Sequence, residues 1–203
     1  ILIITRIFTV DVIKNVFEAC KSSGNEDRVF ILGSTSKITF AGAGIAAIGG
    51  SETNMNWVRK HLSISTIGPD KINQVRHTRF FGGFAGLKEH MKKHAELIKP
   101  KFEMVNSILE DRLGGKGLAS WTNPKGGYFI SLDTNEGCAK RVVALAAEAG
   151  VKLTAAGATF PYKNDPRDTN IRLAPTLPSI EEIQQAMEIV CLCIEIAGSE
   201  KNA

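Results

Sequence analysis

A short apolar run, Val29-Phe30-Ile31-Leu32, stops at Gly33 and gives way to three hydroxyl residues and a lysine, Ser34-Thr35-Ser36-Lys37. A second apolar run, Ile45 to Ile48, follows the small-residue stretch Ala41-Gly42-Ala43-Gly44 and closes in Gly49-Gly50. Runs this short and this uniformly apolar predict central strands, Arg28 to Gly33 and Ile45 to Gly49, buried on both faces. A polar turn between two such strands exposes one lysine at the edge of a sheet, with nearby hydroxyls able to hold an anion. The glycines let backbone approach a bulky ligand closely.

The lysine sets the chemistry. In a partly desolvated pocket its amine loses affinity for its proton and becomes a nucleophile. Such an amine condenses with aldehydes, including that of pyridoxal phosphate. On composition alone the ordinary reading is a solvated surface turn, because Ser/Thr/Lys turns are common.

The rest of the chain alternates helix and strand. Asp11 to Ala19 reads as a helix, with Val12, Val16 and Ala19 on one face and Ser23-Gly24-Asn25 stopping it. Ser51 to Ser63 follows, with Met55, Val58 and Leu62 as its buried stripe. Gly68-Pro69-Asp70 opens the next helix with Pro69 in its first turn, and Ile72, Val75 and Arg79 line up along it before Gly82-Gly83. A long helix is predicted over 87–113, interrupted or kinked near Pro100, with Phe102, Val105, Leu109 and Leu113 as its stripe. Gly127 to Asp133, Val151 to Thr154 and Asn170 to Leu173 read as strands. Cys138 to Ala149 reads as a helix burying Val142, Leu145 and Ala149. Ser179 caps the last helix, Glu182 completes a capping box, and Ile183, Met187, Val190 and Ile194 carry its core stripe. Strands alternating with helices give an α/β sandwich, with a domain boundary in the stretch from Lys93 to Pro100.

Charge and cysteine usage exclude several classes. A chain of 203 residues with 43% apolar and 23% charged residues has an ordinary globular balance. Its net charge of +4 is dispersed, and the lysines between Lys88 and Lys101 are interrupted by Glu89, Glu96 and apolar positions. That pattern is a solvated helix face and not a nucleic-acid stripe. His90 and His94, four apart, belong to the same basic face. Cys20, Cys138, Cys191 and Cys193 form no CxxC pair, which argues for free thiols in a reducing cytosol and against structural zinc. Cys191 and Cys193 are expected on different sides of a helix. The opening Ile1 to Val10 is too short to span a bilayer and reads as a buried strand.

Several ordered motifs together carry a family resemblance. Ser34-Thr35-Ser36-Lys37-Ile38-Thr39-Phe40-Ala41-Gly42-Ala43-Gly44 resembles the cofactor-lysine segment of fold-type I pyridoxal-phosphate aminotransferases, closest to the MocR-type, aspartate aminotransferase-like branch. The likeness continues in family order through Ile67-Gly68-Pro69-Asp70-Lys71, Arg79-Phe80-Phe81, Pro124-Lys125-Gly126-Gly127-Tyr128-Phe129 and Asn170-Ile171-Arg172-Leu173-Ala174-Pro175. It covers nearly everything from about Asp11 onward. The implied fold is the C-terminal part of the large cofactor domain, residues 1–95 and incomplete, plus the small α/β C-terminal domain, residues 96–203. The implied reaction is amino-group transfer between an amino acid, aspartate or another dicarboxylate, and a 2-oxo acid, in a cytoplasmic homodimer using pyridoxal 5'-phosphate.

The resemblance also assigns residues. Lys37 would hold the cofactor and then move the proton between substrate and cofactor carbons. Ser34 matches the phosphate-binding position, with Ser36 a second candidate, and Arg172 would fork onto the substrate α-carboxylate. Without the other motifs, Arg172 reads as an exposed strand arginine paired with Asp165 or Asp168. Tyr128 reads as a core aromatic that could line the pocket, and Arg76, His77 and Arg79 as helix charges that could reach a neighbouring subunit. Many relatives carry a phosphate-binding arginine where this chain has Ile45. Their first half supplies the phosphate loop, the stacking aromatic and the aspartate that pairs with the ring nitrogen, and Ile1 to Thr9 contains no acid. The chain starts with Ile and not Met, so a fragment is expected, one that alone does not sustain transamination and whose open apolar edges drive association. Two rivals keep the fold: the effector domain of a MocR-type transcription regulator, and a non-catalytic remnant. A dinucleotide binder has the least support, since Gly42-Ala43-Gly44 lacks the third glycine.

Overall fold

The computed structural model describes residues 14–40 and 42–202. The strand expected at Ile1 to Val10 and the start of the helix expected from Asp11 lie outside them. The chain folds as two compact units, residues 1–95 and 96–203.

In the first unit, α1 (Val16–Ser22) begins later than the periodicity suggests, because Asn15 caps it: its side-chain oxygen accepts from Phe17 N at 3.0 Å. β1 (Phe30–Ser34) pairs antiparallel with β2 (Ala46–Gly50), with Leu32 opposite Ile48. Among the described residues this is a two-stranded ladder, and Phe30 and Leu32 are 41% and 50% exposed. The expectation of strands buried on both faces is therefore wrong here, since two strands lack the flanking strands and covering layers that bury a central strand. Ser51 caps α2 (Glu52–Ser65) by accepting from Asn54 N, and the Asn54 amide donates to the carbonyls of Asp27 and Val29, which ties the helix start to the approach of β1. Of the predicted α2 stripe, Val58 is buried, Met55 is half-buried and Leu62 is exposed.

Asp70, and not Pro69, starts α3 (Lys71–Phe81): its carboxylate accepts from Asn73 N at 3.0 Å. The predicted stripe of α3 is also reversed. Ile72 and Val75 are exposed, whereas His77 is buried. Gly82 ends α3 in a left-handed conformation at φ 61°. Then α4 (Phe84–Leu113) carries the chain from the first unit into the second and is not interrupted at Pro100. A proline removes one donor from the ladder, and the other turns of a helix this long remain closed.

The second unit holds most of the core. Phe102, Val105, Leu109 and Leu113 of α4 are buried at their predicted spacing. β3 (Ala119–Trp121), β4 (Ile130–Thr134) and β5 (Asn170–Leu173) form an antiparallel sheet in that order, and Ile130 and Leu132 pair with Leu173 and Ile171. β3 has no sequence forecast, since three residues are too few to show a period. Val151 to Thr154, expected as a strand, is irregular. α5 (Ala139–Glu148) buries Ala139, Val142 and Ala146, while Leu145 is half-buried and Ala149 exposed. α6 (Ile180–Asn202) opens with the expected capping box: Ser179 N donates to the Glu182 carboxylate at 2.7 Å and Glu182 N to Ser179 Oγ at 3.2 Å. Ile183, Met187, Val190 and Ile194 are all buried. So are both Cys191 and Cys193, which, two residues apart on α6, lie on different sides of it as expected, so α6 is covered on both. Arg141 of α5 grips Glu200 of α6 through Nε and a terminal nitrogen at 2.7 and 2.8 Å. The four cysteines are unpaired, and no described helix is long and apolar enough to cross a membrane.

Candidate active site

The lysine turn is built outward from Thr35. Its backbone N–H donates to Ile45 O and its hydroxyl accepts from Ile45 N, both at 2.9 Å, which clamps the end of β1 to the approach of β2. Its carbonyl accepts from Ile38 N and Thr39 N at 2.9 and 3.0 Å, so residues 35–39 coil into one tight turn. Ser34, Ser36 and Lys37 are all exposed on that turn. Ser36 N donates to Ser34 Oγ at 3.1 Å, and the two hydroxyl oxygens lie 2.6 Å apart. Whichever hydroxyl donates in that contact, one hydroxyl hydrogen is left over for an anion. A side chain at Gly44 has no room: its Cβ would lie 2.7 Å from Ser36 Oγ and 2.9 Å from the Ser36 backbone.

α3 supports this turn from below. The His77 Nδ1 atom lies 2.9 Å from Asn73 O and its Nε2 atom 3.1 Å from Thr35 Oγ1. A carbonyl only accepts, so Nδ1 donates to Asn73 O, and Nε2 shares a hydrogen bond with the Thr35 hydroxyl. The Asn73 amide donates to Ala43 O at 2.8 Å, which holds the glycine-rich return. His90 Nε2 donates to Ile38 O at 2.6 Å, and the His94 ring lies 4.7 Å from that of His90. Burial, then the neighbouring His90, holds the His94 imidazole below its usual basicity. His77 and His90 therefore brace the turn, and His90 and His94, both half-buried, do not form the solvated basic face expected of them. The positioning roles of Thr35 and His77 have no sequence signal of their own beyond the Asn73–His77 spacing of one helical turn.

Arg172 sits on β5 opposite Ser131. Its guanidinium lies 4.4 Å over the Phe129 ring, and its Nε is buried with no hydrogen-bond partner among the described residues. The acids proposed as alternatives are engaged elsewhere. Asp165 accepts from the backbone N–H groups of Arg167, Thr169 and Asn170 at 3.0, 2.8 and 2.9 Å, and Asp168 accepts from Lys140 N. The ion pair expected if Arg172 were an ordinary strand arginine does not form, because those carboxylates are already committed to the turn that leads into β5 and to the start of α5. Tyr128 is buried as expected of a core aromatic, and burial pushes its phenol up. Lys37, Ser34 and Ser36 belong to the first unit and Arg172 to the second.

Comparison with known proteins matches the chain to a family. The family described as "Aspartate amino-transferase" matches residues 7–203. A Mycolicibacterium smegmatis protein is 51% identical over 186 residues, spanning 92% of this chain and 44% of its own length. The aspartate aminotransferase of Corynebacterium glutamicum is 47% identical over 183 residues, 90% of this chain and 42% of its own. The chain thus spans less than half the length of these curated relatives. Among solved structures, an aspartate transaminase from Corynebacterium glutamicum superposes with a TM-score of 0.92 at 43% identity, covering 98% of this chain and 48% of that one. LysN, an α-aminoadipate aminotransferase of Thermus thermophilus solved with N-(5'-phosphopyridoxyl)-L-leucine, reaches a TM-score of 0.79 at 19% identity, covers 95% of this chain and 49% of that one, and shares the fold. By the family match and these relatives, the chain belongs to the aspartate amino-transferase family and has the α/β fold of the C-terminal part of a fold-type I aminotransferase.

Proposed function

We propose that this chain is the part of a pyridoxal-phosphate-dependent aminotransferase that carries the cofactor lysine and the substrate-carboxylate arginine. The observation that carries the reading is Arg172: a guanidinium seated on an aromatic ring, with a buried Nε that lacks an acceptor and no carboxylate paired to it among the described residues. A planar fork in that state matches a carboxylate by two parallel hydrogen bonds. The lysine turn fits the cofactor by its donor set, an amine and two hydroxyls within four residues, one hydroxyl hydrogen being left over. Pyridoxal phosphate, when bound, supplies the electron sink that lets an amino acid lose its α-proton.

Lys37 would hold the cofactor through its amine, and its Nζ would be the group that carries the proton. The hydroxyl hydrogen that the Ser34–Ser36 contact leaves over would donate to phosphate, and Thr35, clamped to Ile45 and His77, holds the turn that carries both hydroxyls. Arg172 takes the α-carboxylate. The name of the Corynebacterium glutamicum relative supports aspartate as a substrate, with a 2-oxo acid as acceptor. The reading further assigns residues 1–95 to the large cofactor domain and 96–203 to the small domain, in agreement with the two compact units. It takes the parent enzyme to be a cytoplasmic homodimer of the MocR-type branch, and the unpaired cysteines fit a reducing compartment.

The test is borohydride reduction of the chain with pyridoxal phosphate, followed by peptide mapping and a Lys37→Ala control. A phosphopyridoxyl label concentrated on Lys37 is expected. A label spread evenly over the surface lysines, unchanged in the control, refutes the assignment of Lys37.

A further inference from the structure

Against the Ile38-Thr39 end of the lysine turn, the first unit contains a cavity of about 440 Å³. Ile38, Phe40, Ala43 and Phe80 supply apolar walls, and Arg76, Arg79, His77, His90 and His94 the remainder with Thr39. None of Lys37, Ser34 and Ser36 lines it. Its volume lies in the range of small-molecule sites.

The polar groups of the cavity divide into engaged and unengaged. His77 is used by Asn73 and Thr35, and His90 by Ile38. Neither Arg76 nor Arg79 makes an ion pair or hydrogen bond among the described residues, and no described carboxylate lines the cavity. Phe40 and Phe80 are exposed at 67% and 61%, so the aromatic walls face open space and not a packed core. Two unpaired guanidiniums beside an apolar hollow with no acid in its lining select one class of occupant by charge and by polarity. We propose that this cavity binds a small organic carboxylate with an aromatic or branched apolar body, the body between Phe40, Phe80 and Ile38 and the carboxylate on Arg76 and Arg79. A guanidinium holds a carboxylate by paired, charge-assisted hydrogen bonds, and an aromatic body meets the rings at low entropic cost. The site goes beyond the proposed reaction: Lys37, Ser34, Ser36 and Arg172 do not line it, and the residues assigned to the ligand are other than His77, which braces the turn.

Calorimetric titration of the chain with 2-naphthoate tests this, with the neutral 2-naphthalenemethanol as the matched probe. Saturable binding with one site is expected, and the alcohol should bind about tenfold or more weakly, as loss of a charge-assisted pair implies. The double variant Arg76→Gln/Arg79→Gln should lose naphthoate to the same extent with its helical circular dichroism unchanged, since both side chains are exposed. Lys37→Ala should bind as the unaltered chain does, so a failure of the cofactor assignment and a failure here are separable. Equal binding of acid and alcohol, naphthoate binding that survives the double variant, or no saturable binding each overturns the proposal. A naphthoate heat that vanishes as the chain self-associates does so too, because it makes a second copy the occupant.

Discussion

Truncating one buried and one exposed side chain reads out how unevenly the two units are packed. Leu109 of α4 is fully buried in the second unit, one turn from Val105 and from Leu113 on the same face, both equally inaccessible. Leu109→Ala removes the transfer free energy of the lost atoms and leaves a cavity, so it should cost about 3 kcal/mol, within the usual core range. With a urea dependence of about 2 kcal/mol per molar, that lowers the unfolding midpoint of the second unit by about 1.5 M. Ile72 of α3 lies in the first unit and is 79% exposed. Only about a fifth of its burial free energy, roughly 0.5 kcal/mol, is at stake in Ile72→Ala. The better helix propensity of alanine offsets most of that, about 0.4 kcal/mol. The chain has two tryptophans, Trp57 in the first unit and Trp121 in the second. Single-tryptophan variants, Trp57→Phe and Trp121→Phe, therefore follow each unit separately by fluorescence during urea titration. If Ile72→Ala moves the midpoint as far as Leu109→Ala does, the apolar surface of the first unit is covered in solution, and the reasoning from burial fails.

Other consequences follow from the same geometry. Gly44→Ala forces a methyl into Ser36, and overpacking of this kind costs about 1–3 kcal/mol; phosphopyridoxyl labelling at Lys37 should fall sharply, and labelling equal to the unaltered chain would show that the turn tolerates the shift. Asp165 is held below the ordinary carboxylate range by backbone N–H donors, that of Asn170 first. A depressed folded pKa contributes stability above the unfolded value and loses it as pH falls through the folded one, so Asp165→Asn should lower Tm at neutral pH and converge with the unaltered chain in acid; parallel Tm curves would refute this. Burial pushes the Cys191 thiol up to about 11 and that of Cys193 upward. Iodoacetamide at pH 8 should then modify the half-buried Cys20 first and reach Cys138, Cys191 and Cys193 only on unfolding, whereas simultaneous labelling of all four would contradict the buried helix α6.

Where a side chain is buried by its own element's neighbours, the sequence pattern is readable. The α4 and α6 stripes are cases in point: a period of 3.6 survives in Phe102, Val105, Leu109 and Leu113 because that face meets packed neighbours in the second unit. In the first unit the same logic misleads. Ile72 and Val75 have a helical spacing, yet the buried face of α3 holds His77, whose two ring nitrogens both find partners. Apolar spacing records which face should be covered, not whether the described residues cover it. Phe30 and Leu32 make the same point for strands: a run that reads as a central strand forms a two-stranded ladder with half-open faces. Pro69 misplaces the start of α3 because an aspartate directly after it satisfies the first turn by its side chain, a stronger local determinant than a preset φ.

The residues proposed for function divide along the same line. A motif locates Lys37 and Arg172 as residues, but the support beneath the lysine comes from contacts far apart in sequence, Thr35 with Ile45 and His77, Asn73 with Ala43, and His90 with Ile38. Each of these uses a backbone group or a hydroxyl, groups that nearly every stretch of chain offers, so none leaves a compositional trace. Arg172 is the converse case. Its two candidate partners, Asp165 and Asp168, are close in sequence and of opposite charge, and proximity alone favours an ion pair. The backbone decides otherwise, because the turn that delivers β5 needs acceptors for the N–H groups of Arg167, Thr169 and Asn170, and Asp165 supplies them. Committing that acid to the turn leaves the guanidinium with a ring beneath it and an unused buried N–H. An unsatisfied buried donor is costly; a carboxylate arriving from solution would relieve that cost, and the substrate role proposed for Arg172 rests on this consequence of how one loop is built.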